Sequence, residues 1–163
     1  GYCHRGLNWP WAACDLHYYS DETKTTELLH IKQRNWVDAW GTFDLFDSSN
    51  GEHICTFTRK FWAGILQRTW MVTDPAGQAL FQIQEDNIMK SIIRRIGGDF
   101  FPPLQMFLRT NMNFRTLDGG KDFGDLNRKF SLRDRYEVSR TSNELDGRIL
   151  WAAGPLIDNA GGR

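Results

Sequence analysis

Three copies of one β-hairpin pattern constrain the fold of this chain more than any other feature of the sequence. Each copy is an apolar run that ends in Asp, followed by a Gly turn and a second run that finishes in charged residues. The first runs and their turns are FDLFDSSNG at residues 43–51, WMVTDPAG at 70–77 and FRTLDGG at 114–120. Asp can hydrogen-bond the turn backbone and Gly adopts positive φ without strain, so both residues favour hairpin turns.

Further strand signals surround these hairpins. Residues 28–32, 37–46 and 135–140 each predict a strand, and a short strand is expected at 16–19. Between residues 54 and 59, one alternating set (Ile54, Thr56, Thr58) faces away from the other (Cys55, Phe57, Arg59). Short strands separated by turn signals predict a β-barrel or sandwich.

Two helices are predicted among the strands. The first spans residues 86–96, where Asp86 is a suitable N-cap and Gly97 and Gly98 supply the stop. The second begins near Glu144, with Ser142 or Asn143 as its cap. Its later part, ILWAAGPLI at residues 149–157, is apolar on every side and must therefore be surrounded by protein or lipid. Because this stretch is far shorter than the roughly 20 residues of a membrane span, we expect a β-barrel to surround it.

The order of these motifs resembles the tubby-like superfamily, and within it the bacterial phospholipid scramblase-related and plant LURP-one-related proteins. The resemblance rests on the hairpins above and on LLHIK at residues 28–32, ALFQIQED at 79–86, NRKFSLRDRY at 127–136 and ELDGRIL at 144–150. It implies a closed antiparallel β-barrel around a hydrophobic C-terminal helix, covering residues 27–158. The core-helix residues would be Leu145, Ile149, Leu150, Ala153, Leu156 and Ile157.

Two parts of the chain depart from this pattern. Residues 1–26 are expected to form an irregular, aromatic-rich segment or a partial first strand, and residues 159–163 a flexible tail. Gly147, Gly154 and Pro155 weaken or kink helices, so the core helix is expected to break near Ala153. Since Gly1 is not a methionine, a fragment or processed chain is also expected.

Composition narrows the functional classes. Twenty basic residues balance twenty acidic ones, which argues against a nucleic-acid partner. Three cysteines at wide spacing favour reduced thiols and a cytoplasmic protein. No nucleophile–base pairing or phosphate-binding loop is present, so we predict that the protein is not an enzyme. The oligomeric state is not predicted.

Metal ligands are present but poorly arranged in the sequence. Cys3, His4, Cys14 and His17 could bind zinc, although adjacent Cys and His residues rarely reach one ion, and a loose segment is favoured. The acidic residues that could bind calcium lack the spacing of an EF-hand loop and are expected to serve turns and caps; they are Glu85, Asp86, Asp122, Asp125 and Asp134. No cofactor is therefore predicted. His30 and His53 are expected to be hydrogen-bonded or solvated, and Cys55 to be buried.

Basic residues provide the preferred functional hypothesis. Lys90, Arg94 and Arg95 lie on or beside the polar face of the first helix, where they could contact an anionic phospholipid or phosphoinositide. Arg59 and Lys60 precede Phe61 and Trp62, a combination suited to a membrane interface. Phe100 and Phe101 form a second aromatic patch. The tubby-like resemblance implies phosphoinositide binding through basic side chains.

Other interpretations remain open. The first helix could simply pack on the core, and the domain could be a protein-interaction scaffold. Scramblase-like lipid transport and a ligand carried in the barrel interior are further alternatives. The preferred prediction is a non-catalytic binding module that is cytoplasmic and peripheral to the membrane.

Overall fold

One antiparallel sheet dominates the computed structural model, which describes residues 1–6, 15–34, 41–60, 69–85, 111–129 and 135–160. The sheet has ten strands whose spatial order is their order in the chain. They are β1 (Tyr2–Arg5), β2 (Asp15–Tyr19), β3 (Glu27–Gln33), β4 (Thr42–Asp47), β5 (His53–Lys60), β6 (Thr69–Thr73), β7 (Ala79–Glu85), β8 (Asn111–Arg115), β9 (Asp122–Lys129) and β10 (Arg135–Arg140). One helix, α1 (Gly147–Ala160), follows them. The prediction of a mainly β protein with a C-terminal helix is confirmed, and the predicted helix at 86–96 lies outside the described residues.

The three repeated motifs form the hairpins β4–β5, β6–β7 and β8–β9. In each turn the Asp side chain accepts a hydrogen bond from a backbone N–H, over 2.9 Å at Asp47, 2.7 Å at Asp74 and 3.0 Å at Asp118. The turn glycines have positive φ: +73° at Gly51, +85° at Gly77 and +74° at Gly119. The hairpin prediction is therefore confirmed, together with its physical basis.

The N-terminal segment is more regular than the sequence indicated. β1 pairs with β2 and β2 pairs with β3, so both strands extend the sheet that the hairpins form. Leu16 and Tyr18 on β2 are completely buried. Burial of these two side chains stabilises pairing with β3, which explains why an aromatic-rich stretch without clear periodicity still forms a strand. The short strand expected at 16–19 is thus observed as β2, and a first strand, the alternative to irregular structure, is observed as β1.

The sheet curves around α1. Tyr18 on β2 hydrogen-bonds the helix at Ala152, while Tyr136 on β10 hydrogen-bonds it at Asp158. Adjacent strands lie about 4.8 Å apart, so β2 and β10 would be separated by about 38 Å in a flat sheet. A helix is only about 10–12 Å across and could not contact both. Pairing within the described residues stops at β1 and β10, so the predicted closure of the barrel is not confirmed.

The core lies between the concave face of the sheet and α1. Each strand from β2 to β8 contributes two buried residues spaced two apart, as the alternation of a strand requires. These pairs are Leu16 and Tyr18, Leu29 and Ile31, Phe43 and Leu45, Cys55 and Phe57, Trp70 and Val72, Phe81 and Ile83, and Met112 and Phe114. The alternation predicted for residues 54–59 holds for Cys55 and Phe57, although Thr56 on the other face is also buried.

The helix begins later than predicted. Asp146 caps it, because Oδ1 of Asp146 accepts a 2.9 Å hydrogen bond from the backbone N–H of Arg148. Leu145 lies in the turn before the helix and packs against the core. The guanidinium of Arg140 donates to the carbonyls of Ser142 and Leu145, over 2.8 and 2.6 Å. These contacts hold the preceding residues in a turn, so neither Ser142 nor Asn143 caps α1.

The predicted break near Ala153 is wrong, since α1 continues through Pro155 to Ala160. Proline inside a helix costs about 3 kcal/mol. Leu156 and Ile157, just beyond it, are buried, and each such burial contributes about 1.5–3 kcal/mol. A Cβ on Gly154 would lie 3.1 Å from Cγ of Tyr136, so this glycine lets α1 approach β10 closely.

Candidate functional site

All four histidines of the chain lie in one row across the sheet. The register pairs His4 with His17, and His17 with His30. His30 in turn lies opposite Phe46, which lies opposite His53. The row therefore runs from β1 to β5. Leu16 and Tyr18 flank His17 and face the core, so the row lies on the convex, outer face.

A β-bulge brings an acidic residue to the middle of this row. Tyr18 pairs with Leu29 but Tyr19 pairs with Glu27, which leaves Leu28 as an extra residue on β3. The extra residue turns Glu27 to the outer face, a common effect of bulges. There, Oε1 of Glu27 lies 3.0 Å from Nδ1 of His17 and also accepts a 3.0 Å hydrogen bond from the Ser48 hydroxyl.

Three side chains, His17, Glu27 and His30, form a compact group here, and Asp15 lies beside His30. We call these four residues the histidine–acid cluster. The rings of His17 and His30 stack with centroids 4.5 Å apart and an interplanar angle of 11°. One potential ligand atom from each of His17, Glu27 and His30 lies within 4.8 Å of the others. Nε2 of His30 lies 3.9 Å from Oδ1 of Asp15. Each of the four side chains is about one-third exposed, so the cluster is open to solvent on one side.

Two buried polar atoms, one on Asp15 and one on His30, make no hydrogen bond with the described part of the chain. Oδ1 of Asp15 and Nε2 of His30 are both buried and lack a hydrogen-bond partner among those residues. Burial, followed by the nearby imidazole of His17, lowers the pKa of His30. The neutral imidazole that this favours keeps a nitrogen lone pair, which is the form that binds metal ions.

A second polar group on the same face, around Asp44 and His53, is hydrogen-bonded within the protein. Asp44 accepts two hydrogen bonds from the guanidinium of Arg34, over 2.8 and 3.0 Å, and a third from the Thr56 hydroxyl at 2.7 Å. Although burial alone would raise the pKa of Asp44, the bonds from Arg34 and Thr56 lower it. Nε2 of His53 lies 3.1 Å from both the Cys55 carbonyl and the Thr56 hydroxyl. The prediction of a hydrogen-bonded imidazole is confirmed for His53. Nε2 of His30, in contrast, has no hydrogen-bond partner among the described residues.

The zinc ligands considered from the sequence do not assemble as a group. Cys3 and His4 are neighbours on β1, so their side chains leave opposite faces, and Cys3 packs against the core. Cys14 lies outside the described residues. Only His17 of that set joins the histidine–acid cluster. Its partners Asp15, Glu27 and His30 were missed because their proximity depends on strand register and on the bulge.

The predicted lipid-binding residues are not brought together by the described structure. Lys90, Arg94 and Arg95 lie outside it, as do Phe61, Trp62, Phe100 and Phe101. Arg59 is half-buried and donates a 3.3 Å hydrogen bond to the carbonyl of Ala160 at the end of α1. Lys60 is exposed at the end of β5.

The remaining candidates have structural roles where they are described. Asp122 forms a 2.7 Å ion pair with Arg115, and Asp125 accepts a hydrogen bond from the Asn127 amide. Asp86, Asp134 and the side chain of Glu85 lie outside the described part. Cys55 is fully buried, as predicted, and burial raises the pKa of its thiol, so the reactive thiolate is disfavoured.

Five of the six predicted core-helix residues are buried in α1: Ile149, Leu150, Ala153, Leu156 and Ile157.

No helix within the described ranges is long and apolar enough to cross a bilayer. No known protein family, curated protein or solved structure matches the chain.

Proposed function

We propose that the protein is a non-catalytic binding module of the tubby-like kind, similar to scramblase-related and LURP-one-related proteins, which docks on anionic phospholipid or phosphoinositide membranes. The observation that carries the proposal is the occupied concave face. Hydrogen bonds tie α1 to Tyr18 on β2 and to Tyr136 on β10, with buried side chains between them. Small-molecule sites usually need a concave pocket of several hundred Å³. Because α1 occupies the concave face, a ligand would bind on the outer surface.

Barrel closure is part of the proposal. β1 and β10 are the two ends of a sheet that already contacts one helix from both sides. Pairing of these ends would satisfy the backbone groups of both edge strands, which otherwise favour association with another chain. The closed form would be the barrel that the tubby-like resemblance implies.

The proposed lipid contacts are electrostatic. Lys90, Arg94 and Arg95 would meet lipid phosphates, with Arg59 and Lys60 as a second basic pair. A basic side chain near an anionic membrane contributes about 1 kcal/mol. Because the net charge of the chain is zero, only these basic patches would attract the membrane, and the attraction would require anionic lipid. A cytoplasmic location, peripheral to the membrane, is part of the proposal.

Vesicle co-sedimentation tests the proposal. We expect the full chain to sediment with phosphatidylcholine vesicles that contain a phosphoinositide, and not with phosphatidylcholine alone. Raising the salt concentration should weaken this binding because it screens exposed charges. The triple variant K90Q/R94Q/R95Q should lose it.

A charge-matched control is available on the described surface. Arg5, Lys24 and Arg135 are exposed, and their replacement by Gln removes the same charge. This control should retain binding. Absence of binding to phosphoinositide vesicles at low salt would contradict the proposal, and equal loss in both triple variants would show that binding is not specific to the predicted helix.

A further inference from the structure

We propose that Asp15, His17, Glu27 and His30 form a binding site for a divalent transition-metal ion of the zinc class. This site is independent of the proposed membrane docking. Two imidazoles and two carboxylates form a donor set of nitrogen and oxygen that suits Zn²⁺ and its neighbours in the first transition row. All four residues belong to the paired strands β2 and β3, so the backbone holds the donors close together.

The strongest support is the pair of buried atoms that lack partners. Oδ1 of Asp15 and Nε2 of His30 have no hydrogen-bond partner within the described residues, yet both are buried. Native structures rarely leave such atoms unpaired, so each calls for an explanation such as an ion. The two atoms lie 3.9 Å apart, which is too long for a hydrogen bond.

That separation is slightly longer than a zinc ion requires. Zinc binds imidazole nitrogen at about 2.0–2.1 Å and carboxylate oxygen at about 2.0–2.2 Å, so a tetrahedral ion holds two such donors roughly 3.4 Å apart. The 3.9 Å between Asp15 and His30 has to shorten by about 0.5 Å when the ion binds, which a small side-chain rotation achieves. His17 and Glu27 supply two more donors, since one ligand atom of each lies within 4.8 Å of the other and of His30. Asp15 lies outside this group of three, so its side chain has to shift toward His17 and Glu27 for all four residues to bind one ion.

One imidazole has to turn for the ion to bind. The rings of His17 and His30 are nearly parallel at 11°, and a metal ion lies close to the plane of each imidazole that binds it. Rotation of one ring about its side-chain bonds lets both nitrogen lone pairs converge. The bulge at Leu28 remains essential throughout, because it places Glu27 on the same face as His17.

The histidine–acid cluster differs from the other polar group on this face. Asp44 has a guanidinium and a hydroxyl as close partners, and His53 has a carbonyl and a hydroxyl. These contacts occupy both carboxylate oxygens of Asp44 and Nε2 of His53. His53 therefore provides a matched control: it is a histidine in the same cross-strand row, outside the proposed site.

Zinc titration of the purified full chain, followed by calorimetry, tests the proposal. We expect saturable binding of one Zn²⁺ per chain. The variants H17Q and H30Q should each weaken binding by more than about tenfold, since even outer-shell partners of a metal contribute about 10–100-fold. H53Q should bind as the wild type does. D15N, which keeps the side-chain shape, should also weaken binding and serves if a histidine variant fails to fold.

Cobalt substitution identifies the donor atoms. A Co²⁺ complex at the proposed site should show ligand-field bands without the strong charge-transfer absorption of thiolate ligands. A thiolate band would assign the ion to cysteines and overturn the proposal. Absence of saturable Zn²⁺ binding, or unchanged affinity in a folded H17Q/H30Q double variant, would overturn it as well.

Discussion

The Tyr18 hydroxyl donates a 2.6 Å hydrogen bond to the backbone carbonyl of Ala152, joining β2 to α1 across 134 positions of the chain. Both residues are fully buried. The ring of Tyr18 also packs edge-on against Trp151, with centroids 5.4 Å apart. The N-terminal strands are thus part of the same core as the C-terminal helix.

Replacement of Tyr18 by Phe should lower the free energy of unfolding by about 0.5–1.5 kcal/mol, because the ring stays and one hydrogen bond is lost. Urea denaturation measures the change. Tyr19 faces outward on the same strand and is only partly buried, so Tyr19→Phe should have a smaller effect. Equal stability of Tyr18→Phe and the wild type would show that the contact to Ala152 contributes nothing net.

Truncation of Leu156 tests the occupied concave face. Leu156 is fully buried on α1, and Leu156→Ala should cost about 2–5 kcal/mol through lost burial and the cavity left behind. Leu117 is 47% exposed, so Leu117→Ala should change stability by less than about 0.5 kcal/mol. Chemical denaturation of both variants provides the comparison. Similar small effects at the two positions would contradict a helix enclosed by the sheet.

Gly124 should tolerate no side chain. A Cβ there would lie 2.2 Å from the carbonyl oxygen of Ser139 on the neighbouring strand, so β9 or β10 would have to shift. We expect Gly124→Ala to cost about 1–3 kcal/mol, as overpacking does. A Cβ on Gly120 would meet nothing closer than 3.5 Å, and Gly120→Ala is the matched control. Thermal unfolding should give a lower melting temperature for Gly124→Ala than for Gly120→Ala. Equal melting temperatures would contradict the close contact between Gly124 and Ser139.

Acid should weaken the cap of α1. Hydrogen bonds from Arg148 lower the pKa of Asp146, with burial opposing them. Because the native pKa lies below the unfolded value of about 3.9, the stabilisation is present above that pH and is lost as the pH falls through the native pKa. The wild type should therefore lose more stability between about pH 6 and pH 3 than Asp146→Asn does.

Denaturation at the two pH values measures this difference. Glu22 is exposed in the turn between β2 and β3, so Glu22→Gln should follow the wild-type pH profile more closely. If Asp146→Asn and the wild type decline in parallel, the carboxylate of Asp146 does not stabilise the native state.

Much of the fold follows from local chemistry. Asp47, Asp74 and Asp118 hydrogen-bond their own turns, and a glycine with positive φ completes each one. Such contacts span only a few residues, which is why the three hairpins were predictable. The start of α1 was predicted too early although its contacts are also local: Arg140, at the end of β10, holds the carbonyls of Ser142 and Leu145 in a turn, and Asp146 caps the helix.

The candidate site was less accessible to sequence analysis. Asp15 and His17 are two positions apart on one strand, a weak signal for a shared face. His30 and Glu27 join them only through the pairing of β2 with β3 and the bulge at Leu28. A shift of one residue in that register would turn every side chain to the opposite face.

The sequence by itself determined most of the strands, the hairpin turns and the need to bury the apolar C-terminal stretch, since these depend on residue type and on contacts between near neighbours. Tertiary structure decided the curvature of the sheet around α1, the continuation of the helix through Pro155 and the assembly of the histidine–acid cluster. Each of these depends on contacts between segments distant in the chain, whose energies no local pattern specifies.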